Sequence, residues 1–204
     1  MSNPLKDDPN AALAAALAGE GDGKLLAVYA SIRSTTRVAE PLIGLGLPLI
    51  DYVLASIYET PVSVTATRGR HSARSPLLGL GTDVELWTLL VRCVSELTVT
   101  VDVAAGPWST VAGPLELRVE WLRSSRVTTF HSRGATISSG DGSAVSLGLT
   151  GLEERLLDYA VDLSEMSGDG DAPAEFAGAM RIVEAARGAV STGLSVDLDG
   201  VRAV

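Results

Sequence analysis

The side chains best suited to chemistry in this sequence are concentrated in one basic segment, where Arg68, Arg70, His71 and Arg74 lie within seven residues. Guanidinium groups can hold a phosphate or a carboxylate through paired hydrogen bonds, and the intervening glycine allows a ligand to approach closely. Loops positioned by a rigid scaffold often carry such sites. We therefore predict a loop that binds an anion or, alternatively, forms ion pairs at the surface or with a partner protein.

The other reactive side chains form no recognisable catalytic pattern. The two histidines, His71 and His131, are far apart in the sequence, and the apolar neighbours of the single cysteine, Cys93, predict a buried and inert thiol. The sequence contains no Gly-x-Ser-x-Gly, Gly-x-Gly-x-x-Gly or Gly-x-x-x-x-Gly-Lys-Ser/Thr motif. We predict no catalytic residue, no metal site and no cofactor, and we favour a non-enzymatic protein. A catalytic site assembled from distant residues remains an alternative.

One tryptophan is a second candidate for an interaction site. Trp108 lies in the segment Gly-Pro-Trp-Ser, which predicts a loop. An aromatic side chain on a loop can be a hot spot of a protein interface. The alternative is that Trp108 folds down over the edge of a sheet.

The charge distribution limits the classes of partner. The chain has a formal net charge of −9, which disfavours nucleic acid because phosphate contacts require a positive surface. The single cysteine and the lack of a signal-peptide pattern at the N-terminus predict a cytoplasmic protein. The longest apolar run, residues 41–58, is interrupted by Asp51 and by prolines and glycines, so we predict no membrane span.

Alternating apolar and polar residues predict a central β block. The alternation is strict in Thr98–Val103 and in Leu115–Trp121, and it buries one face of a sheet while the other face meets water. We predict a sequential antiparallel meander, because short connections favour it. Its strands are expected at about 97–104, 115–123, 126–132 and 143–149, with shorter strands at 62–67, 135–138 and 194–198.

Helical patterns flank this block. Asp8 and Pro9 suit the start of a helix over 11–18, whose apolar face we predict to be Leu13 and Leu17. Apolar spacing and capping patterns predict further helices at 24–32, from 48 to the residue before Pro61, and at 83–96, where a strand is the alternative. Two more helices, at 150–165 and 173–192, are predicted to form a hairpin.

The predicted fold is therefore α+β: a central antiparallel β-meander flanked by N-terminal helices and a C-terminal helical hairpin. Residues 1–23 are predicted to form an N-terminal arm or short helix with a flexible loop, and residues 24–204 a single domain.

The favoured function is a non-enzymatic structural or assembly subunit that acts through protein contacts, including self-association. A virion or shell component is one case. The first alternative is a small-ligand-binding domain or small enzyme with a pocket between the sheet and the helices. The second is nucleic-acid binding by the central region, because residues 62–140 carry eight arginines and six acidic residues.

Overall fold

The fold is organised around one nine-stranded mixed sheet. The computed structural model describes residues 2–20, 23–74, 81–106, 113–132, 136–139, 144–146, 150–166 and 174–198. The strand order is β8-β7-β6-β5-β1-β4-β3-β2-β9. The strands are β1 (Leu25–Ser34), β2 (Pro61–Arg74), β3 (Gly81–Cys93), β4 (Thr98–Ala105), β5 (Leu115–Arg123), β6 (Val127–His131), β7 (Thr136–Ser139), β8 (Ala144–Ser146) and β9 (Val196–Asp197).

The sheet is not the simple meander that we predicted. Strand β1 lies between β4 and β5, parallel to β4 and antiparallel to β5. The α+β class is confirmed, and β5 to β8 do form an antiparallel meander, as do β2 to β4. The prediction of a purely antiparallel sheet is wrong, because β1 comes early in the sequence and inserts at the centre through long-range pairing.

Strand β1 corrects the predicted helix at 24–32. Val28, Ala30 and Ile32 are buried, whereas Tyr29 between them is half exposed. This period of two belongs to a strand with one covered face. The helical prediction placed Val28 and Tyr29 on the same apolar face, and the central position of β1 in the sheet decides against it.

The predicted helix at 83–96 is also a strand, so the alternative was correct. Trp87, Leu89, Val91 and Cys93 are buried in β3, and the residues between them are more exposed. Strand β3 pairs along its length with β2, which continues to Arg74. The prediction of a basic loop is therefore wrong, because the segment is the distal half of a long hairpin.

The described residues form five α-helices beside the sheet. They are α1 (Pro4–Asp7), α2 (Pro9–Gly19), α3 (Leu47–Ile57), α4 (Leu152–Met166) and α5 (Ala177–Thr192), with a π-helical stretch at Leu42–Gly46 and a 3₁₀ turn at Ala174–Phe176. Asp8 caps α2, as predicted, by accepting hydrogen bonds from the backbone N–H groups of Asn10 and Ala11. Gly193 ends α5 in the left-handed conformation (φ 70°), directly after the predicted last residue of the helix at 173–192.

One hydrophobic core lies between the helices and one face of the sheet. Trp121 of β5 is among its largest fully buried side chains. Its indole N–H donates to the Ser56 hydroxyl of α3 at 3.1 Å, and its ring makes an edge contact with Tyr52 at 6.3 Å between centroids. None of the described helices is long and apolar enough to cross a membrane.

The N-terminal residues pack on this same core. Leu5 is fully buried, and the Asn3 side chain donates to the Pro48 carbonyl oxygen at 2.9 Å. In α2 the buried face consists of Ala11, Ala14 and Ala18, while Leu13 points outward. The predicted apolar face of this helix is therefore wrong for Leu13, whereas Leu17 is partly buried against the core, as predicted. The small alanine side chains let α2 lie close to its neighbours.

Candidate functional site

The structure neutralises part of the predicted basic site. Arg68 and Arg70 lie on β2 and both bind the carboxylate of Glu85 on the neighbouring strand, at 2.7 Å and 3.1 Å. The Arg68 guanidinium also lies 4.9 Å from the Trp87 ring centroid, a cation–π distance, and the Trp87 indole N–H donates to Glu85. This cluster holds the distal end of the hairpin together. It matches the ion-pair alternative for these two arginines.

The other predicted residues contribute little to a site. His71 and Arg74 continue β2, and their side chains lie outside the described part of the structure, as does the whole of Trp108. His131 of β6 contacts Glu116 of β5 at 3.1 Å. Cys93 is buried, as predicted, and burial together with the nearby Glu59 raises the pKa of its thiol to about 11.

Among the described residues, the seam between the sheet and helices α3 and α5, where a pocket was predicted, has no room for a ligand. The seam where Ile50, Val53 and Ile182 meet Val99 and Val101 leaves a volume of about 0 Å³ for water. A ligand of any size would have to displace core side chains. Across the described residues, no three His, Cys, Asp or Glu side chains are close enough together to hold a metal ion.

A groove between α2 and α3 is large enough for a small molecule. Its volume is about 480 Å³, which is within the usual range for ligand pockets of about 300–1,000 Å³. The groove exists because its walls carry small side chains, among them Ala12, Ala15 and Ala16 of α2 and Ala55 of α3. We call this concavity the helix groove.

Four polar or aromatic side chains reach the helix groove: Lys6, Tyr52, Ser56 and Tyr58. Tyr52 donates its hydroxyl proton to the Ala11 carbonyl oxygen at 2.7 Å, and burial, followed by the charge of Asp8, raises its pKa far above the ordinary value. Lys6 is held by Asp51 at 2.8 Å. The groove therefore has neutral hydroxyls on apolar walls, with one compensated charge at its margin.

Tyr58 is the most unusual of these side chains. It ends α3 in the left-handed region (φ 52°), which is unfavourable for a bulky residue, and it is 95% exposed. Its backbone N–H closes the helix on Leu54 at 3.3 Å. The result is an aromatic ring held at the mouth of the helix groove with almost no contacts of its own.

Known proteins resemble this chain in fold but not in sequence. No protein-family model matches the sequence, and no curated protein matches it. Among solved structures, levoglucosan dehydrogenase in complex with NADH and L-sorbose is similar at a TM-score of 0.67 and 14% identity, covering 96% of this chain and 64% of that chain. An oxidoreductase domain protein from Kribbella flavida is similar at a TM-score of 0.64 and 12% identity, covering 96% of this chain and 64% of that chain.

A third similar structure is myo-inositol 2-dehydrogenase from Lactobacillus plantarum, with a TM-score of 0.60 and 16% identity. The match covers 96% of this chain and 63% of that chain. This chain thus spans less than two thirds of the length of each of these structures. Similarity at such low identity establishes the fold. Because all three neighbours are oxidoreductases, it contradicts the prediction of a structural or assembly subunit, of which a virion or shell component was one case.

Sequence reasoning did not find the helix groove. The sequence predicts Tyr52 and Tyr58 to lie in the helix from residue 48 to the residue before Pro61, and the alanines of α2 to lie in an N-terminal arm or short helix. A signal was nevertheless present, since alanines recur along α2 at a spacing that puts them on common faces. The groove itself forms only because α3 packs beside α2 in the folded protein.

Proposed function

We propose that this chain is the small-ligand-binding domain of an oxidoreductase and works with a dinucleotide-binding domain from elsewhere. The observation that carries this proposal is the pattern of coverage. The fold accounts for 96% of this chain but only 63–64% of three dehydrogenase or oxidoreductase structures. The uncovered third of those structures has room for a second domain.

The described fold does not fit a dinucleotide. Dinucleotide-binding domains use a parallel sheet with helices on both faces and a glycine-rich turn under the pyrophosphate. Among the nine described strands one pair is parallel, the described helices lie on one face, and the glycine-rich motif is absent from the sequence. We therefore derive no hydride-transfer step on this chain and assign the cofactor to the other domain.

The helix groove supports the ligand-binding part of the proposal. Tyr52 and Ser56 donate their own hydroxyl protons to the carbonyl oxygens of Ala11 and Val53, so their oxygens can accept hydrogen bonds from ligand hydroxyl groups. The alanine walls and the Tyr58 ring can cover the C–H face of a sugar ring. The similar levoglucosan dehydrogenase structures are complexes with L-sorbose and with levoglucosan. A polyhydroxylated molecule of sugar size is the ligand class that fits both observations.

Titration calorimetry with the purified chain tests this proposal. We expect heat of binding with L-sorbose, levoglucosan or myo-inositol, and none with NADH. Ala55→Trp should fill the groove and weaken polyol binding by at least about tenfold, which corresponds to about 1.4 kcal/mol. Ala177→Trp, at an exposed alanine of α5 outside the groove, is the matched control and should bind normally.

Two results would overturn the proposal. One is binding of NADH by this chain alone, since the dinucleotide would then not need another domain. The other is the absence of polyol binding, or binding that Ala55→Trp and Ala177→Trp affect equally, since the helix groove would then not be the site.

A further inference from the structure

One edge of the sheet is open along the distal half of β2. Strand β9 covers this edge at two residues of β2, Ser63 and Val64. It does not reach further, because the chain before it turns back into α5 at Gly193. Among the described residues, no other strand pairs with this side of β2. We call the outward edge of β2 from Ala66 to Arg70 the free edge.

The free edge presents a row of backbone hydrogen-bonding groups. The Val62 carbonyl oxygen accepts from the Leu198 N–H of the β9 side, and alternate residues of a strand direct their N–H and C=O groups to the same side. Those of Ala66, Arg68 and Arg70 therefore point outward, and no described group bonds to them. Such a row of donors and acceptors is a template for an added strand.

The side chains along the free edge make it positive. Strand β2 carries three arginines and no carboxylate, in a chain whose net charge is −9. Arg68 and Arg70 share a single carboxylate, that of Glu85 on β3, so this cluster keeps one net positive charge. The Arg70 side chain is 66% exposed. On the other face of β2 the free edge bears Thr67 and Gly69, which leave room for a strand to lie close.

We propose that the free edge binds an extended segment of another protein that carries carboxylates at alternate positions. Alternate residues of a strand point to the same face, so two acidic residues separated by one residue would both lie beside Arg68 and Arg70. The backbone hydrogen bonds provide the pairing, and the ion pairs select the partner. An antiparallel direction continues the arrangement of β9 on the same edge.

The same charges disfavour a second copy of this chain on the free edge. Two β2 strands paired about a two-fold axis would bring two of these clusters together, with four guanidinium groups and only two carboxylates between them. Like charges at facing positions of neighbouring strands destabilise the pairing. Charged side chains on edge strands commonly protect proteins from such self-association. An acidic strand is the partner that this protection admits.

Fluorescence polarisation with labelled synthetic peptides tests the charge selection. The probe is the peptide Thr-Val-Glu-Val-Glu-Val-Thr, and its control has lysine in place of both glutamates. We expect the wild-type chain to bind the glutamate peptide at least about tenfold more tightly than the lysine peptide at low salt. Arg70→Glu should reverse this preference. Arg37→Glu, at an exposed arginine outside the sheet, is the matched control and should leave both affinities unchanged.

Methylation of the peptide nitrogen atoms tests the backbone pairing. In the antiparallel arrangement each glutamate lies opposite an arginine whose N–H points outward, so the N–H groups of the glutamates face β2. A peptide methylated on both glutamate nitrogens should bind at least about tenfold more weakly, because each methyl group removes a donor. A peptide methylated on two valine nitrogens, which face away from β2, should bind like the unmodified peptide.

Several results would overturn the proposal. These are no binding of the glutamate peptide at about 1 mM, equal affinity for the glutamate and lysine peptides, and equal binding of the two methylated peptides. Another is a folded Arg70→Glu variant, checked by circular dichroism, that keeps the wild-type preference. Efficient disulfide formation between the Thr67→Cys variants of two copies would give the free edge to a second copy and also contradict the proposal. Polyol binding is a separate matter, because Arg68 and Arg70 do not line the helix groove.

Discussion

The ion pair between Asp8 and Arg155 should have a measurable and asymmetric effect on stability. The Asp8 carboxylate is fully buried, caps α2 through two backbone N–H groups at 3.0 Å and 3.1 Å, and accepts from Arg155 of α4 at 2.6 Å. The Arg155 side chain is 44% exposed. Removing Arg155 therefore leaves a buried charge without its partner, whereas removing the charge of Asp8 leaves an arginine that can turn to water.

The magnitudes follow from this asymmetry. Breaking a buried ion pair costs about 3–5 kcal/mol, and the partial exposure of Arg155 reduces the expected cost of Arg155→Met to about 2 kcal/mol. Asp8→Asn keeps the cap, because asparagine and aspartate cap about equally, and should cost about 1 kcal/mol. In the double variant no buried charge remains, so its cost should also be about 1 kcal/mol.

Urea unfolding of the wild-type protein, the two single variants and the double variant, followed by circular dichroism, measures these free energies. The expected coupling between the two sites is about 2 kcal/mol. Additive costs would refute the reasoning, and so would a smaller loss for Arg155→Met than for Asp8→Asn. As a control, equal m-values in all four proteins would show that the substitutions leave the unfolded state unchanged.

Three further predictions concern packing, helix termination and the thiol. Gly44→Ala should destabilise the fold by about 2 kcal/mol, because the new Cβ would lie 2.5 Å from the Ala160 carbonyl oxygen. Gly178→Ala on α5, where a Cβ meets nothing within 4 Å, should be neutral or stabilising. The midpoints of urea unfolding compare the two variants. Arg123→Ala should lower the free energy of unfolding by about 1–2 kcal/mol, because its guanidinium donates to the carbonyl oxygens of Ala18 and Gly19 in the last turn of α2 and of Gly23 after it. Calorimetry should show the lower Tm. Cys93, whose pKa burial raises to about 11, should react with Ellman's reagent only slowly at pH 8 in the native protein and fully, at one thiol per chain, in urea; fast native labelling would contradict its burial.

The sequence by itself determined the local elements whose signals are short-range. The alternation of Leu115–Arg123 gave β5 its observed bounds, and Asp8 and Gly193 marked real helix ends. These features depend on neighbouring residues, since a cap or a turn is satisfied within a few positions of the chain. The absence of nucleotide-binding and catalytic motifs was likewise readable from the sequence.

Only the tertiary structure decided which elements meet. The segment at 24–32 satisfies helical and strand patterns, and its place between β4 and β5 selects the strand. Glu85 is seventeen residues from Arg68, yet the β2–β3 hairpin brings it there and turns a predicted anion site into an ion pair. The helix groove also arises from contact between elements that are distant in sequence, because β1 lies between α2 and α3 along the chain. Such contacts stabilise the fold through residues that are distant in sequence, so no local sequence pattern predicts them.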